Sequence, residues 1–507
     1  MSTSNVTRSS VVFIKEESVE NTFEPITAAT QAIQLREGFA ITNEPEIIES
    51  DALQSGIGKA KPIRVGASPK FSLPIYPRAS ASEGVEPELG IVYKSLFGSK
   101  DVQATERNTV AGSTVSILNV DSGEGVEFPV GVALIVKDAT NGYSIRNVDS
   151  VSTDALTLNF DLDDAPASGI NLGKHVSYIP VSSGHPTFSL EAHQAASSAA
   201  YKQAISGLRA NSLSFEFPAK NLAVGTIECQ GVNYYFNHVA ITSSNFDIDF
   251  VDDGGTVTCE LEAKVYETPI AFAAEVTTKM TAASVGSGND TITCTYNSST
   301  GKYNLASNGT TFSLLWLSGT NNATGAYAKL GFAKVDETLA TDYDSDVAAD
   351  YDPAYAATID STDPIINREG EFLIGDSTDN TCRKASNITV SIGVPSTEVK
   401  SICSSTGTLE YVPSERTCTV TGNIILEKYE VEIFDRSINN TNTKFMVNVG
   451  PRTSDGNWTP GSVQNIFFKN AVINTATVQD EDGYAIIAVE AVGYITGTQK
   501  DVFLNFI

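Results

Sequence analysis

The sequence predicts a mainly β fold: two similar strand-rich modules, each with one short helix, joined to small β-rich inserts. Three observations predict it. Short runs rich in Thr, Val, Ser, Tyr and Phe recur along the chain, punctuated by Gly, Asn and Asp, which is the composition of pleated, half-buried strands. Long helical periodicity is almost absent. One order of elements (strand pair, helix, strand, long closing hairpin) occurs twice, over Lys70–Phe236 once residues 102–184 are set aside, and again over Arg383–Ile495.

The elements follow in chain order. Residues 1–101 hold a polar N-terminal arm and the first half of module 1. Between Gly58 and Arg78 the chain carries Lys59, Lys61, Arg64, Lys70 and Arg78 with no acid among them, a basic loop in an acidic protein. Phe71, Leu73 and Ile75 then alternate with Lys70, Ser72 and Pro74, which predicts a half-buried strand. Pro87 suits a first helical position, and Leu89, Val92, Tyr93, Leu96 and Phe97 form one apolar stripe that Gly98 stops. A helix this short needs a sheet to lie on. Residues 102–184 are predicted to be an inserted small barrel, with strands at Thr114–Leu118, Val132–Lys137, Tyr143–Val148, Ala155–Phe160 and His175–Ile179.

Module 1 resumes over 185–270. In SLSFEFPAKNLAVGTIECQG, Leu213, Phe215, Phe217, Ile227 and Cys229 face one way. Ser212, Ser214, Glu216, Thr226, Glu228 and Gln230 face the other. A hairpin at Asp252-Asp253-Gly254-Gly255 closes this region. A boundary is expected in the Ala/Thr/Ser/Gly-rich stretch Glu267–Gly288, and 271–360 form a second small β-rich domain around Trp316. Module 2 spans 361–507. There Thr389 and Ser391 alternate with Ile388, Val390 and Ile392, and Thr417 and Thr419 with Cys418 and Val420. Val431, Phe434 and Ile438 give a short amphipathic helix, and a hairpin turns at Glu481-Asp482-Gly483.

Composition bounds the function. The 507 residues leave room for about three or four domains. The net charge is −28, from 33 basic and 61 acidic residues. That balance argues against tight nucleic-acid binding, which needs basic patches to displace counterions. It suits a surface that DNA passes without sticking, although solubility alone is the commoner reason for such a charge. No signal-peptide-like or membrane-spanning stretch is visible, so no membrane association and assembly in a cytoplasm are expected. Cys229, Cys259, Cys294, Cys382, Cys403 and Cys418 are widely spaced with no CxxC pair, and suggest neither a zinc site nor a disulfide framework.

The run SGIGKAKPIRVGASPKFSLPIYPRASASEGVEPELGIVYKSLFG, followed after the insertion by ANSLSFEFPAKNLAVGTIECQG, resembles the tail tube (major tail) proteins of long-tailed, siphovirus-like phages. The resemblance rests on the SF-type strand, the PELG-type helix and the hairpin outline from Ser212 to Gly231, and covers about half the chain. It implies two tail-tube-type β-sandwich or half-barrel modules, each with one short flanking helix, whose inner sheets join round a lumen. With two modules per chain it implies homotrimeric, pseudo-sixfold rings stacked helically, with a hexamer as runner-up. It further implies tape measure, tail terminator and distal tail proteins as partners, and DNA passing through the lumen during ejection without specific binding. The place implied is the virion tail, assembled in the host cytoplasm. On this reading Ser212, Ser214, Glu216, Thr226, Glu228, Gln230, Thr389, Ser391, Thr417 and Thr419 face the lumen. Lys59, Lys61, Arg64, Lys70 and Arg78 make inter-ring contacts. The second copy lacks a matching GKAK-type loop.

No motif speaks for catalysis. His175, His185, His193 and His238 have no HExxH or triad partner, and no GxSxG is present. The segment Gly56-Ile57-Gly58-Lys59-Ala60-Lys61 lacks the hydroxyl residue and upstream glycine of a phosphate loop. Asp342, Asp344 and Asp346 open like a calcium loop, but Val347 and Pro353 stand where Gly and Glu are needed, which fits a solvated acidic loop better. The expectation is no catalytic residue, no cofactor and no metal. The rival readings are a host-binding tail tip or decoration component and, from the enzyme class, a carbohydrate-active β-protein needing paired carboxylates in a cleft.

Overall fold

The structure, a computed structural model, describes residues 10–49, 61–194, 201–253, 255–285, 291–308, 311–349, 362–367, 369–379, 381–404, 407–426, 431–497 and 500–507. It is mainly β, with a half-barrel sheet and several smaller sheets.

Module 1 runs β1 (Ser10–Glu16), β2 (Ala40–Ile48), β3 (Ile63–Ile75), α1 (Gly90–Phe97), β4 (His175–Pro180), β5 (Phe188–Gln194), β6 (Tyr201–Pro218) and β7 (Val224–Gln230). Module 2 runs from a strand at Glu371–Gly375 to β8 (Ala385–Gly393) and a hairpin of β9 (Ser396–Lys400) and β10 (Thr408–Pro413). Then come β11 (Thr417–Ile425), the helix Val431–Ile438, β12 (Thr443–Val449), β13 (Gln464–Glu481), β14 (Tyr484–Gly493) and β15 (Val502–Phe506).

The two runs match element by element. β1 pairs with β5 as Glu371–Gly375 pairs with β12. β5 pairs with the first half of β6 as β12 pairs with the first half of β13. β6 and β13 are both 18 residues long, and each turns back into a hairpin, with β7 and β14. Each module's helix lies on its long strand. The repeat therefore begins at Ser10 and Glu371, earlier than alternation alone suggested, because β1 and Glu371–Gly375 are buried on both faces and carry no period of two.

Both modules share one antiparallel sheet in the order β2–β3–β7–β6–β8–β11–β14–β13. Its apolar face (Phe71, Leu73, Leu213, Phe215, Val390, Val420 and their neighbours) packs on a second layer made by β1, β5, β12, β15, β4 and the first halves of the long strands. α1 buries Val92, Tyr93, Leu96 and Phe97 in the same core, and Gly98 at φ 89° ends it by donating its N–H to the Lys94 carbonyl.

Three sequence expectations change. His175–Ile179 belongs to no barrel: β4 pairs with Gly98–Gln103 and with β15, so it is part of the large sheet. The remaining insertion makes a six-stranded sheet with its own core of Leu118, Phe128, Leu134, Val148 and Leu156. The expected boundary at 267–288 is occupied, over Pro269–Val285, by a helix of 17 residues. Phe272, Ala273, Val276 and Met280 bury its inner stripe. Its threonines hid it, since Thr277 and Thr281 use their hydroxyls to hold the strand Ile292–Asn297, at 3.2 Å to the Cys294 carbonyl and 2.8 Å to the Ile292 carbonyl. That helix, the hairpin Asp247–Asp252/Gly255–Glu260 and buried Trp316 share one core reaching from Val239 to Tyr343, so the second appended domain starts near 239. A further feature is the long connection between β8 and β11. It carries the β9–β10 hairpin, module 2's counterpart of the β2–β3 connection.

Candidate assembly surface

The polar face of the eight-stranded sheet is built by strict alternation, and the register joins its members across strands. Ser72 stands opposite Glu228, Glu228 opposite Ser212, and Ser212 opposite Gly393, which faces Thr417. One row on, Thr226, Ser214, Ser391 and Thr419 are direct neighbours, as are Glu216, Thr389, Thr421 and Glu490 in the next. Directly opposed residues in an antiparallel pair project to the same side. All ten residues expected to share a polar face, Gln230 included, therefore lie on one face of one sheet. The expected lumen-facing set leaves out Ser72, Thr421, Thr475, Thr477 and Glu490, which share this face by the same period of two.

This face carries Glu44, Glu216, Glu228 and Glu490 against Lys70, the one lysine on it among the described residues. Lys70 sits mid-strand opposite Gln230 and donates to Glu44 at 2.8 Å, so it belongs to the sheet face and not to the basic loop. Arg78 is half-buried and bonds the Thr362 carbonyl, which ties module 1 to the start of module 2. Lys61 and Arg64 are exposed at the far end of the β2–β3 ribbon, and Lys59 lies outside the described residues. Asp342 and Asp344 lie on a strand beside Asn304, and Asp346 accepts the Ala333 N–H at 2.7 Å, an arrangement of strand and turn and not of a calcium loop.

Two strand edges of the sheet are unpaired among the described residues: β2 and the second half of β13. Inside the chain the equivalent strands meet. β6 pairs with β8 over Ser212–Pro218, and Leu213/Ile392, Phe215/Val390 and Phe217/Ile388 face each other in the core. Phe217 thereby closes one wall of a groove of about 270 Å³ lined also by Phe372, Ile388, Val447 and Val449. The matching place in module 1 is an open groove of about 710 Å³ lined by Val11, Val12, Ile33, Leu35 and Phe39. On the β13 edge, Val478 is 56% exposed.

Comparison with the sequence models of known protein families gives no match, and comparison with curated proteins gives none. A solved structure, the virion of a native gene transfer agent particle, is matched at 13% identity and a TM-score of 0.20 over 27% of this chain and 95% of that one. At that score the likeness carries nothing about this chain's function.

Proposed function

We propose that the chain is a structural, non-enzymatic subunit of the tail tube of a long-tailed, siphovirus-like phage. It polymerises as stacked rings of three chains around a channel that conducts viral DNA during ejection. The observation that carries this reading is the β6–β8 junction. It is a working example, within one chain, of how the end of one module joins the start of the next. The two unpaired edges, β13 and β2, are the same pair of strands waiting for the same junction between chains. A head-to-tail contact of this kind closes into a ring when its rotation allows, and open strand edges are otherwise an aggregation hazard. Two modules per chain make three chains a sixfold arrangement of modules. The hydroxyl and carboxylate face then lines the channel, where its acids repel phosphate. Tape measure, tail terminator and distal tail proteins are the partners such a tube requires.

Electron microscopy of the purified chain tests this. Rings of three chains are expected, and six chains per ring overturns the stoichiometry alone. Val478→Asp places a charge on an already exposed edge position, so it should leave folding intact and abolish rings. Compact monomers at every concentration sink the whole reading.

A further inference from the structure

The second appended domain is joined to module 1 without a spacer. Val239 is buried in the domain's own core, where Val239–Ala240 pairs with Val265–Tyr266. The residue before it, His238, is buried against the outer side of module 1's second layer. A movement of one is therefore a movement of the other. The chain reaches this point along a short edge strand, Asn233–Phe236, which pairs with β6. Asn237 then turns the backbone at φ 50°, a left-handed conformation that asparagine tolerates. It donates its N–H to the Lys202 carbonyl at 2.9 Å, and its side-chain oxygen accepts the Lys202 N–H at 2.9 Å. The domain adds an apolar dock at the same place, Val265 against Phe23, Ala204 and Tyr235.

His238 sits at this root in a closed cluster. Its Nε2 lies 3.1 Å from Glu191, and a carboxylate only accepts, so the ring proton is on Nε2 and Nδ1 keeps a lone pair. Nδ1 has no hydrogen-bond partner. A second proton would put a charged N–H there with no acceptor, beside the rings of Phe23 at 4.7 Å and Tyr235 at 6.0 Å. The charged neighbours divide. Glu191 on β5 favours that proton, while His193 on β5 and Lys202 on β6 oppose it. Glu17 and Glu267 act on Tyr235 beside it. Burial outweighs them all and lowers the imidazole to about 4. The donors that hold Glu17, from Thr187, Ser189, Gly207 and Asn21, lie outside the edge strand, so its own titration does not drive that strand.

We propose that acid undocks the second appended domain: protonation of His238 expels Asn233–Val239 from the side of module 1, and the domain leaves as a folded unit while both modules stay intact. The domain carries no histidine of its own, since the chain's others are at 175, 185 and 193. Short edge elements open locally at far lower cost than a core unfolds. Once released, His238 titrates near 6.5, so release is favoured as pH falls through 6.5 and levels off below about 4. The docked-to-released ratio should then change about 70-fold between pH 7.5 and 4.5. The device does not depend on the tube reading and operates in a single chain or a ring.

Hydrogen exchange on the full-length chain at pH 7.5, 6.0 and 4.5, corrected for the intrinsic pH dependence of amide exchange, tests it. Protection over Asn233–Phe236 should fall about 70-fold and return at pH 7.5. The helix Pro269–Val285 and the β8 residues Ile388–Ile392 should keep theirs. His238→Gln keeps a donor towards Glu191 and cannot take the second proton, so its edge strand should stay protected throughout. Val265→Asp breaks the apolar dock and leaves the imidazole in place, so protection of the strand should be lower already at pH 7.5 and still fall with pH. That variant carries the test if His238→Gln opens at neutral pH. An equal loss in the parent and a folded His238→Gln overturns the proposal, as does no loss in the parent down to pH 4.5. Loss over Pro269–Val285 or Ile388–Ile392 together with the strand overturns it too, because the domain or the modules would then be melting and not parting.

Discussion

The two modules share a plan and differ in what covers the outer side of their second layer. In module 2 a row of uncharged groups crosses the strands: Ser177, Asn505, Asn465 and Asn448 are successive register partners, ending at Glu371. The inserted six-stranded sheet, residues 107–172, lies on this row. Asn465 donates to Asn448 at 2.6 Å and to Asn147 of the insertion at 3.0 Å, and accepts from Asn505 at 2.7 Å. Phe160 joins Leu373, Met446, Phe467 and Phe503 beside it. In module 1 the equivalent face is covered by the chain's own early residues and by Asn233–His238, and its buried groups titrate. Glu17 accepts from Ser189 at 2.8 Å and from the Gly207 N–H at 2.7 Å, while Glu191 accepts from His193 at 2.5 Å and from His238 at 3.1 Å. One scaffold, duplicated, has acquired one cover centred on neutral amides and another centred on buried carboxylates and imidazoles. The insertion, sequence-wise part of module 1, is the lid of module 2.

The largest effect should come from breaking the amide row at its centre. Asn465→Leu leaves Asn147, Asn448 and Asn505 without their shared partner in a site closed to water. Asn448 keeps its bond to Glu371 and Asn147 its bond to the Gly131 carbonyl, but each buried amide group that loses Asn465 costs about 1–3 kcal/mol, and the loss should total about 4 kcal/mol in denaturant unfolding. Protease cleavage should then appear within 102–184 before the rest of the chain. A loss under about 1 kcal/mol would mean that the insertion is held by Phe160 and its neighbours alone.

The pH contrast comes next. Burial lowers the His238 imidazole to about 4, with the charge of Lys202 in the same direction and Glu191 opposing. Burial pushes Glu191 up, but the hydrogen bonds from His193 and His238 more than offset it and hold the carboxyl well below its usual range. Both shifts have one sign for stability. From about pH 6.5 downward the unfolded chain takes up a proton that buried His238 refuses, so stability falls as pH drops towards 4. Below about 4.5 the depressed Glu191 adds to the loss. One group contributes at most about 1.4 kcal/mol per pH unit, hence about 3 kcal/mol over the His238 window. Glu17, raised by burial, gains stability on acidification and offsets part of this. His238→Gln keeps a donor towards Glu191 and removes the titration. Melting from pH 7 to 4 should flatten in that variant while Asn465→Leu keeps the parental slope. An unchanged slope in His238→Gln breaks the comparison.

How far the sequence was legible follows from the same contrast. Strands with one wet face, such as Leu213–Phe217 and Ile388–Ile392, show their period of two, and so both the core and the polar face were readable. Strands buried on both faces mislead: Glu371–Gly375 shows no such period, and Phe188–Gln194 alternates although Ser189, Glu191 and His193 are as buried as its apolar members, so that its polar residues look like surface residues. The covers were invisible because the amide row gathers asparagines from positions 147, 448, 465 and 505, and nothing local marks them as neighbours. The helix Pro269–Val285 was obscured by threonines that serve as anchors. Lys70 was read with the loop that precedes it, although its place in the alternation with Phe71 already set it on a strand face.

The smallest effect tests whether the shared polar face is the solvent-facing wall that the alternation describes. Lys70 is a feature of it that module 2 does not reproduce, since β11 offers only threonines and Asn423 at its polar positions. Its bond to Glu44 joins two side chains that are 48% and 64% exposed. Exposed pairs of this kind contribute about 0–1 kcal/mol because water and salt screen them and ordering two long side chains opposes the gain. Lys70→Thr makes the two modules alike and suits a strand at least as well as lysine does. The denaturation midpoint should therefore move by less than about 0.5 kcal/mol, with rings forming as before and the face left without a lysine. A loss above about 1.5 kcal/mol would instead place Lys70 against a buried acid in the assembled protein. The polar face would then be an interface in both modules and not the lining of a channel.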